Sequence, residues 1–158
     1  MGGLILVGTA EARLGETKEE IIKRYGKPFK IEKHENEPVN YEKVCIQSGD
    51  FMFAFYLYDG AVEYFLILKS SEKGELFTRN EVESFLLKNS KEEGFVLIDE
   101  KSDEKQYLER SSGRGAMVEP AASGDIKMSI WTEKGLNLQL RAAKNRNSKE
   151  STQSTDKF

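Results

Sequence analysis

The chain has 158 residues, 38% of them hydrophobic and 32% charged, which suits one ordinary domain with a core of modest size. Its 24 basic and 27 acidic residues leave a net charge of −3, which gives no field that would gather nucleic acid, and no apolar run is long enough to cross a bilayer as a helix. A single cysteine excludes an internal disulfide, and one cysteine with one histidine nearly exhausts the common triads and zinc sites.

Residues 1 to 12 carry an apolar run, Leu4 to Val7, followed by Ala10-Glu11-Ala12, the small-x-small pattern of a signal-peptidase site. The run is short and no lysine or arginine precedes it, so it reads either as a signal-peptide remnant or as a first strand. The remnant reading makes the protein periplasmic or secreted; the strand reading leaves it cytoplasmic. The folded domain is expected over residues 13–142.

Thr17 with Glu20 forms a capping box, in which hydroxyl and carboxylate each satisfy an orphan N–H of the first turn. Lys23 and Arg24 suit the last turn, Gly26 suits the exit, and Pro28 stops continuation, so a helix of two to three turns is predicted. Phe29 to Glu32 and Tyr41 to Gln47 read as strands, the second holding Cys45 as a small buried hydrophobe. His34 reads as a solvated surface histidine.

Asp59-Gly60 lies between two apolar runs, Phe51–Tyr58 and Ala61–Leu68, and predicts a two-residue hairpin. Strict pairing from that turn puts Phe51, Phe53, Phe55 and Leu57 on one face with Leu68, Leu66, Tyr64 and Val62. The other face then carries Met52, Ala54, Tyr56 and Tyr58 with Ile67, Phe65, Glu63 and Ala61, and it too is mostly apolar. A half-solvated antiparallel sheet normally has a polar outer face. Cover is therefore expected there from the rest of the chain, a second copy or a partner.

A polar loop leads to Thr78 and Glu81, a second capping box, with Phe77 and Val82 placed as a hydrophobic staple and Val82, Phe85 and Leu86 as the buried stripe. Phe95 to Ile98 reads as a strand and Asp99 to Lys105 as a charged turn, whose carboxylates lack calcium-loop spacing. Gln106–Arg110 and Ala116–Glu119 pair across Ser111–Gly115. Ile126–Thr132 and Leu136–Arg141 alternate cleanly, which predicts a hairpin turning at Glu133-Lys134-Gly135 with Trp131 on its polar face. Residues 143–158 are polar and aperiodic, the composition of a disordered tail.

The fold class predicted is α+β: two short helices packed on one face of a mainly antiparallel, meander-type sheet. The two capping boxes begin 61 positions apart (Thr17 and Thr78), as in a degenerate α-β4 tandem repeat. Leu14-Gly15-Glu16-Thr17 through Arg24-Tyr25-Gly26-Lys27-Pro28 resembles the first helix of a group of uncharacterised small exported bacterial proteins, and Phe85 to Ser90 resembles their second. That group often has a tryptophan soon after the Asn-Ser, where this chain offers Phe95. More distantly, the helix entering a Gly-x-Pro turn is similar to the helix–sheet repeat of beta-lactamase inhibitor proteins and of small outer-membrane assembly lipoproteins. These resemblances imply a noncatalytic exported domain and supply no site residue.

The functional expectation is a noncatalytic exported module that binds or inhibits a protein, without cofactor or metal. Its candidate binding residues are Tyr56, Tyr58, Phe65 and Trp131, large aromatics on faces expected to be polar. The alternative is self-association: a homodimeric structural protein of the bacterial envelope that buries Met52, Tyr56 and Phe65 across a two-fold axis.

Overall fold

A computed structural model describes residues 12–35, 40–69, 77–121 and 125–155, with side chains through residue 144. The elements run α1 (Lys18–Tyr25), β1 (Lys30–His34), β2 (Tyr41–Ser48), β3 (Phe51–Tyr58), β4 (Ala61–Lys69), α2 (Arg79–Asn89), β5 (Val96–Glu100), β6 (Lys105–Glu109), β7 (Arg114–Pro120), β8 (Ile126–Trp131) and α3 (Glu133–Thr155). The strands form one antiparallel sheet in the order β1-β2-β3-β4-β8-β7-β6-β5. Each half is an α-β4 meander. The link through α2 carries the chain to the far edge, so that the second meander works back and its last strand meets β4 along Tyr64↔Trp131 to Lys69↔Ile126. The α+β class and the antiparallel meander are thus as the sequence predicts.

Both capping boxes form: Thr17 accepts from the Glu20 N–H and Thr78 from the Glu81 N–H, and each glutamate reaches back to its cap N–H. Such a cap stabilises a helix by roughly 1 kcal/mol. α1 and α2 lie on the same face of the sheet. Ile21 is fully buried there, Tyr25 lies tilted against Phe53 with ring centroids 4.8 Å apart, and Phe85 meets Phe51 edge-on at 5.6 Å. Val44, Ile46, Phe53, Phe55, Val62, Phe65, Ile67, Met128 and Ile130 complete the core from the strands. Burying each of these side chains contributes roughly 1.5–3 kcal/mol.

Two polar side chains tie the α2 exit into this core. Asn89, fully buried, accepts from the Leu14 N–H at 2.8 Å and donates to the carbonyls of Ala12 and Phe85, each at 2.8 Å. Ala12 is itself fully buried, so the packed domain includes the last residue of the stretch read as a leader; residues 1–11 lie outside the described residues. Glu109, also fully buried, accepts through its carboxylate from the N–H groups of Lys91, Glu92 and Gly94 and from the Ser112 hydroxyl.

Two departures from the sequence reading share one cause. The Asp59-Gly60 turn forms with positive φ at both residues, 53° and 82°, and pairs Tyr58 with Ala61 and Leu57 with Val62 as expected. The register then shifts, Tyr56 pairs with Tyr64, and Glu63 is the extra residue of a bulge. A one-residue shift exchanges the faces of everything beyond it. Phe65 and Ile67 therefore point into the core, while Tyr64, Leu66 and Leu68 take the outer face. The bulge is held from far along the chain: Thr132 donates its N–H to the Glu63 carbonyl at 2.9 Å and its hydroxyl to the Glu63 carboxylate at 2.5 Å.

The second departure begins at the same threonine. The stretch read as a turn and strand, residues 133–141, is instead the start of α3. The Thr132 hydroxyl accepts from the Gly135 N–H at 2.9 Å and its carbonyl from the Leu136 N–H at 3.0 Å, the bonds of a helix start. The alternation Leu136, Leu138, Leu140 suited a strand, but a helix sets its contacts by i, i+4 and i+7. Gly135 and Ala142 are buried, Gln139 is half-buried, and Leu140 is left exposed. Gly135 is where the helix touches the bulge: a Cβ there would sit 2.0 Å from the Glu63 carbonyl oxygen. The polar residues after Ala142, read as a disordered tail, continue α3 to Thr155.

Candidate functional site

The side of the sheet away from α1 and α2 carries a row of aromatic rings that crosses five neighbouring strands. His34 on β1 stacks on Tyr41 of β2 at 4.3 Å between centroids and 17° between planes. Tyr41 lies 5.8 Å from Tyr56 on β3, and Tyr56 meets Tyr64 on β4 edge-on at 5.5 Å. Tyr64 stacks on Trp131 of β8 at 6.0 Å and 13°. The row follows from register, since His34↔Tyr41, Tyr56↔Tyr64 and Tyr64↔Trp131 are directly paired positions.

At its far end the row lies on backbone. The Trp131 indole covers Gly115 of β7, where a Cβ would fall 2.5 Å from Nε1, so only glycine lets the ring lie there. Lys43 completes the surface, with its ammonium 5.5 Å from the Tyr56 ring centroid. His34, Tyr41, Tyr56, Tyr64 and Trp131 are all half-buried, presenting ring surface as well as hydroxyl and N–H groups. Such amphipathic rings lose little side-chain entropy on binding and recur as anchors in protein interfaces.

Of the four candidates read from sequence, Tyr56 and Trp131 belong to this row, and Tyr64 bridges them. Tyr58 is near it, 5.5 Å from Tyr41, but is buried beneath α3, where Gln139 donates to its hydroxyl at 2.5 Å. Burial pushes the Tyr58 phenol up to about 12 despite that hydrogen bond. Phe65 is corrected outright: the Glu63 bulge turns it into the core, where it is fully buried 5.6 Å from Phe55. His34, Tyr41 and Tyr64 were missed. Pairing Tyr41 across to β3 was a signal already in the sequence; the position of Tyr64 depended on the bulge.

Cys45 sits on the same face but is buried, and burial raises its thiol above the usual range, away from the reactive thiolate. Among the described residues no three His, Cys, Asp or Glu side chains come together as metal ligands, and no helix is long and apolar enough to cross a membrane. Comparison with family models, with curated proteins and with solved structures finds no match.

Proposed function

We propose that the protein is a noncatalytic binding module that engages a protein partner through the ring row Tyr41, Tyr56, Tyr64 and Trp131. The observation that carries this reading is the continuity of the row over β2, β3, β4 and β8, half-buried rings that meet strand to strand on the side of the sheet away from α1 and α2. Lys43 at its centre adds a cation suited to a carboxylate or an aromatic ring on the partner. The noncatalytic part rests on the inventory of one histidine and one cysteine. The exported part rests on Leu4–Val7 and Ala10-Glu11-Ala12 alone, and periplasm or extracellular space is where the partner is sought. A face-to-face homodimer burying Met52, Tyr56 and Phe65 loses support, because Phe65 is inside the core.

The test compares affinity captures from envelope and soluble fractions with wild-type bait and with Tyr56→Ala/Tyr64→Ala/Trp131→Ala bait. A partner retained stoichiometrically by the wild type and lost by the triple variant supports the reading. Anchors of this kind cost about 2 kcal/mol or more each, so losing one lowers the affinity of a purified pair about thirtyfold and losing all three lowers it by more than about a thousandfold. An unchanged affinity in the folded triple variant ends the reading. The intact mass of recovered bait reports separately on processing near Ala12.

A further inference from the structure

Among the described residues nothing pairs with the outer edge of β1 or of β5, the two ends of the sheet. Both edges carry exposed apolar side chains. Val96, Leu97 and Ile98 are 52%, 47% and 47% exposed, and Phe29 and Ile31 at the other end are 61% and 45% exposed. Exposed apolar edges are templates for adding another strand. Their charges are opposite. Residues 92–104 around β5 hold six acidic side chains and one lysine, whereas residues 27–34 around β1 hold three lysines and one glutamate.

We infer that the β5 edge of one copy takes the β1 edge of a second copy, so that the chain associates head to tail into an extended sheet. Three features of the fold agree. The eight strands alternate in direction, so β1 and β5 run opposite ways. A second copy set beside the first in the same orientation therefore brings its β1 antiparallel to β5, with the α1/α2 side kept on one side.

The faces also match. β5 carries a bulge between Leu97 and Asp99, which oppose Tyr107 and Gln106. Leu97 thus faces the α1/α2 side and Asp99 the ring side. On β1, Ile31 opposes Val44 and faces the α1/α2 side, while Lys30 opposes Cys45 and faces the ring side. Setting Ile31 against Leu97, with Ile98 left as the bulged residue, then sets Lys30 against Asp99: apolar on apolar, and the ammonium that Glu32 holds at 2.6 Å within reach of a second carboxylate. Finally, pairing of like edges is opposed. A β5–β5 contact gathers Asp99 and Glu100 from both copies, and a β1–β1 contact gathers Lys30 and Lys33 from both against one glutamate each, Glu32, which Lys30 already holds at 2.6 Å. A heterologous contact of this kind leaves one edge of each type unused at the ends and is open-ended. Strand-to-strand twist of about −20 to −25° over eight strands turns each copy roughly half a turn from the last, which gives a twisted ribbon.

The experiment uses the full chain and two blocked variants, Ile31→Asp and Leu97→Asp, both at exposed positions, with circular dichroism and Trp131 fluorescence as controls for folding. In sedimentation from micromolar to near-millimolar concentration, the wild type increases in mass beyond a dimer, and the effect weakens in high salt. Each variant alone stays at 18.0 kDa. An equal mixture stops at twice that mass, because one intact β5 edge meets one intact β1 edge while the other pair would set Asp against Asp. A covalent check uses Ile31→Cys and Leu97→Cys chains, with Cys45 buried out of reach. Under mild oxidation the mixed disulfide is the product. A wild type that stays monomeric, a variant that self-associates like the wild type, or a mixture that stays monomeric overturns the inference. A self-associating Ile31→Asp variant would point instead to pairing of two β5 edges.

Discussion

Replacing Glu109 by glutamine tests whether one buried carboxylate holds the second half of the fold together. Its two oxygens take the N–H groups of Lys91 and Glu92 at 2.9 and 3.2 Å, that of Gly94 at 2.7 Å and the Ser112 hydroxyl at 2.5 Å. They thus join the exit of α2 to β6 and to the β6–β7 turn. Burial works to raise the carboxyl, but the Ser112 hydroxyl and the backbone donors outweigh it and bring it from an ordinary 4.5 down to about 2. A carboxylate depressed in the folded state contributes stability that is present above its unfolded value and is lost as pH falls toward the folded one. At about 1.36 kcal/mol per unit, the full linkage is about 3.4 kcal/mol at pH 7. Solvent at the exposed Lys91–Glu93 rim screens part of it, so about 2–3 kcal/mol is expected. Glutamine keeps the size but turns an NH2 group toward N–H donors. Urea denaturation at pH 7 should show Glu109→Gln less stable by that amount, and at pH 3 the difference should shrink to about 1 kcal/mol. A variant within about 0.5 kcal/mol of wild type at pH 7, or one with the same deficit at both pH values, refutes the account.

Two further perturbations address the contact of α3 with the ring side of the sheet. Gly135→Ala would place a Cβ 2.0 Å from the Glu63 carbonyl oxygen, so the backbone must give way. A loss of about 3 kcal/mol in thermal or urea unfolding is expected, and unchanged stability would mean that α3 does not seat on the bulge as described. The Tyr58 phenol, pushed up to about 12 by burial, should be among the last tyrosines to ionise in an alkaline absorbance titration, and the fold should lose stability as pH rises from about 10 to about 12. Gly135→Ala should bring that titration back toward 10. A Tyr58 that ionises near 10 in the wild type contradicts its burial under Gln139.

The local grammar of the chain was legible. Two threonines with glutamates three positions on, an Asp-Gly between apolar runs, and glycine or proline at exits are signals whose partners lie within a turn of themselves, and all formed. The errors arose where a distant residue decides the matter. Nothing near Glu63 announces a bulge; it exists because Thr132, 69 positions on, binds the Glu63 carbonyl and carboxylate. Nothing in Leu136, Leu138 and Leu140 separates a strand from the first turns of a helix except that Thr132 caps and Gly135 fits beneath. Because one threonine governs both, the two mistakes were coupled. Missing the bulge exchanged Tyr64 with Phe65, and missing the helix left Tyr58 uncovered. Tyr56 and Trp131 survived because neither lies beyond the bulge on β4.

The repeat organisation explains why the two proposed surfaces lie where they do. β1 and β5 are the first strands of the two α-β4 halves, and β4 and β8 are the last. Pairing the last strands at the centre forces the first strands to the two ends, so whatever a half carries on its first strand becomes an edge. Both halves carry apolar residues there, Phe29 and Ile31 in one and Val96, Leu97 and Ile98 in the other, but the flanking charges differ in sign. With like charges at both ends, edge pairing would be suppressed as in most soluble sheets. With opposite charges, only the unlike pairing is favoured. The ring row has the same origin in register, since it crosses the seam between the halves at Tyr64↔Trp131. A head-to-tail ribbon would leave each row uncovered and repeat it once per copy. Partner binding and self-association then use different surfaces, and the variants that block one should leave the other intact.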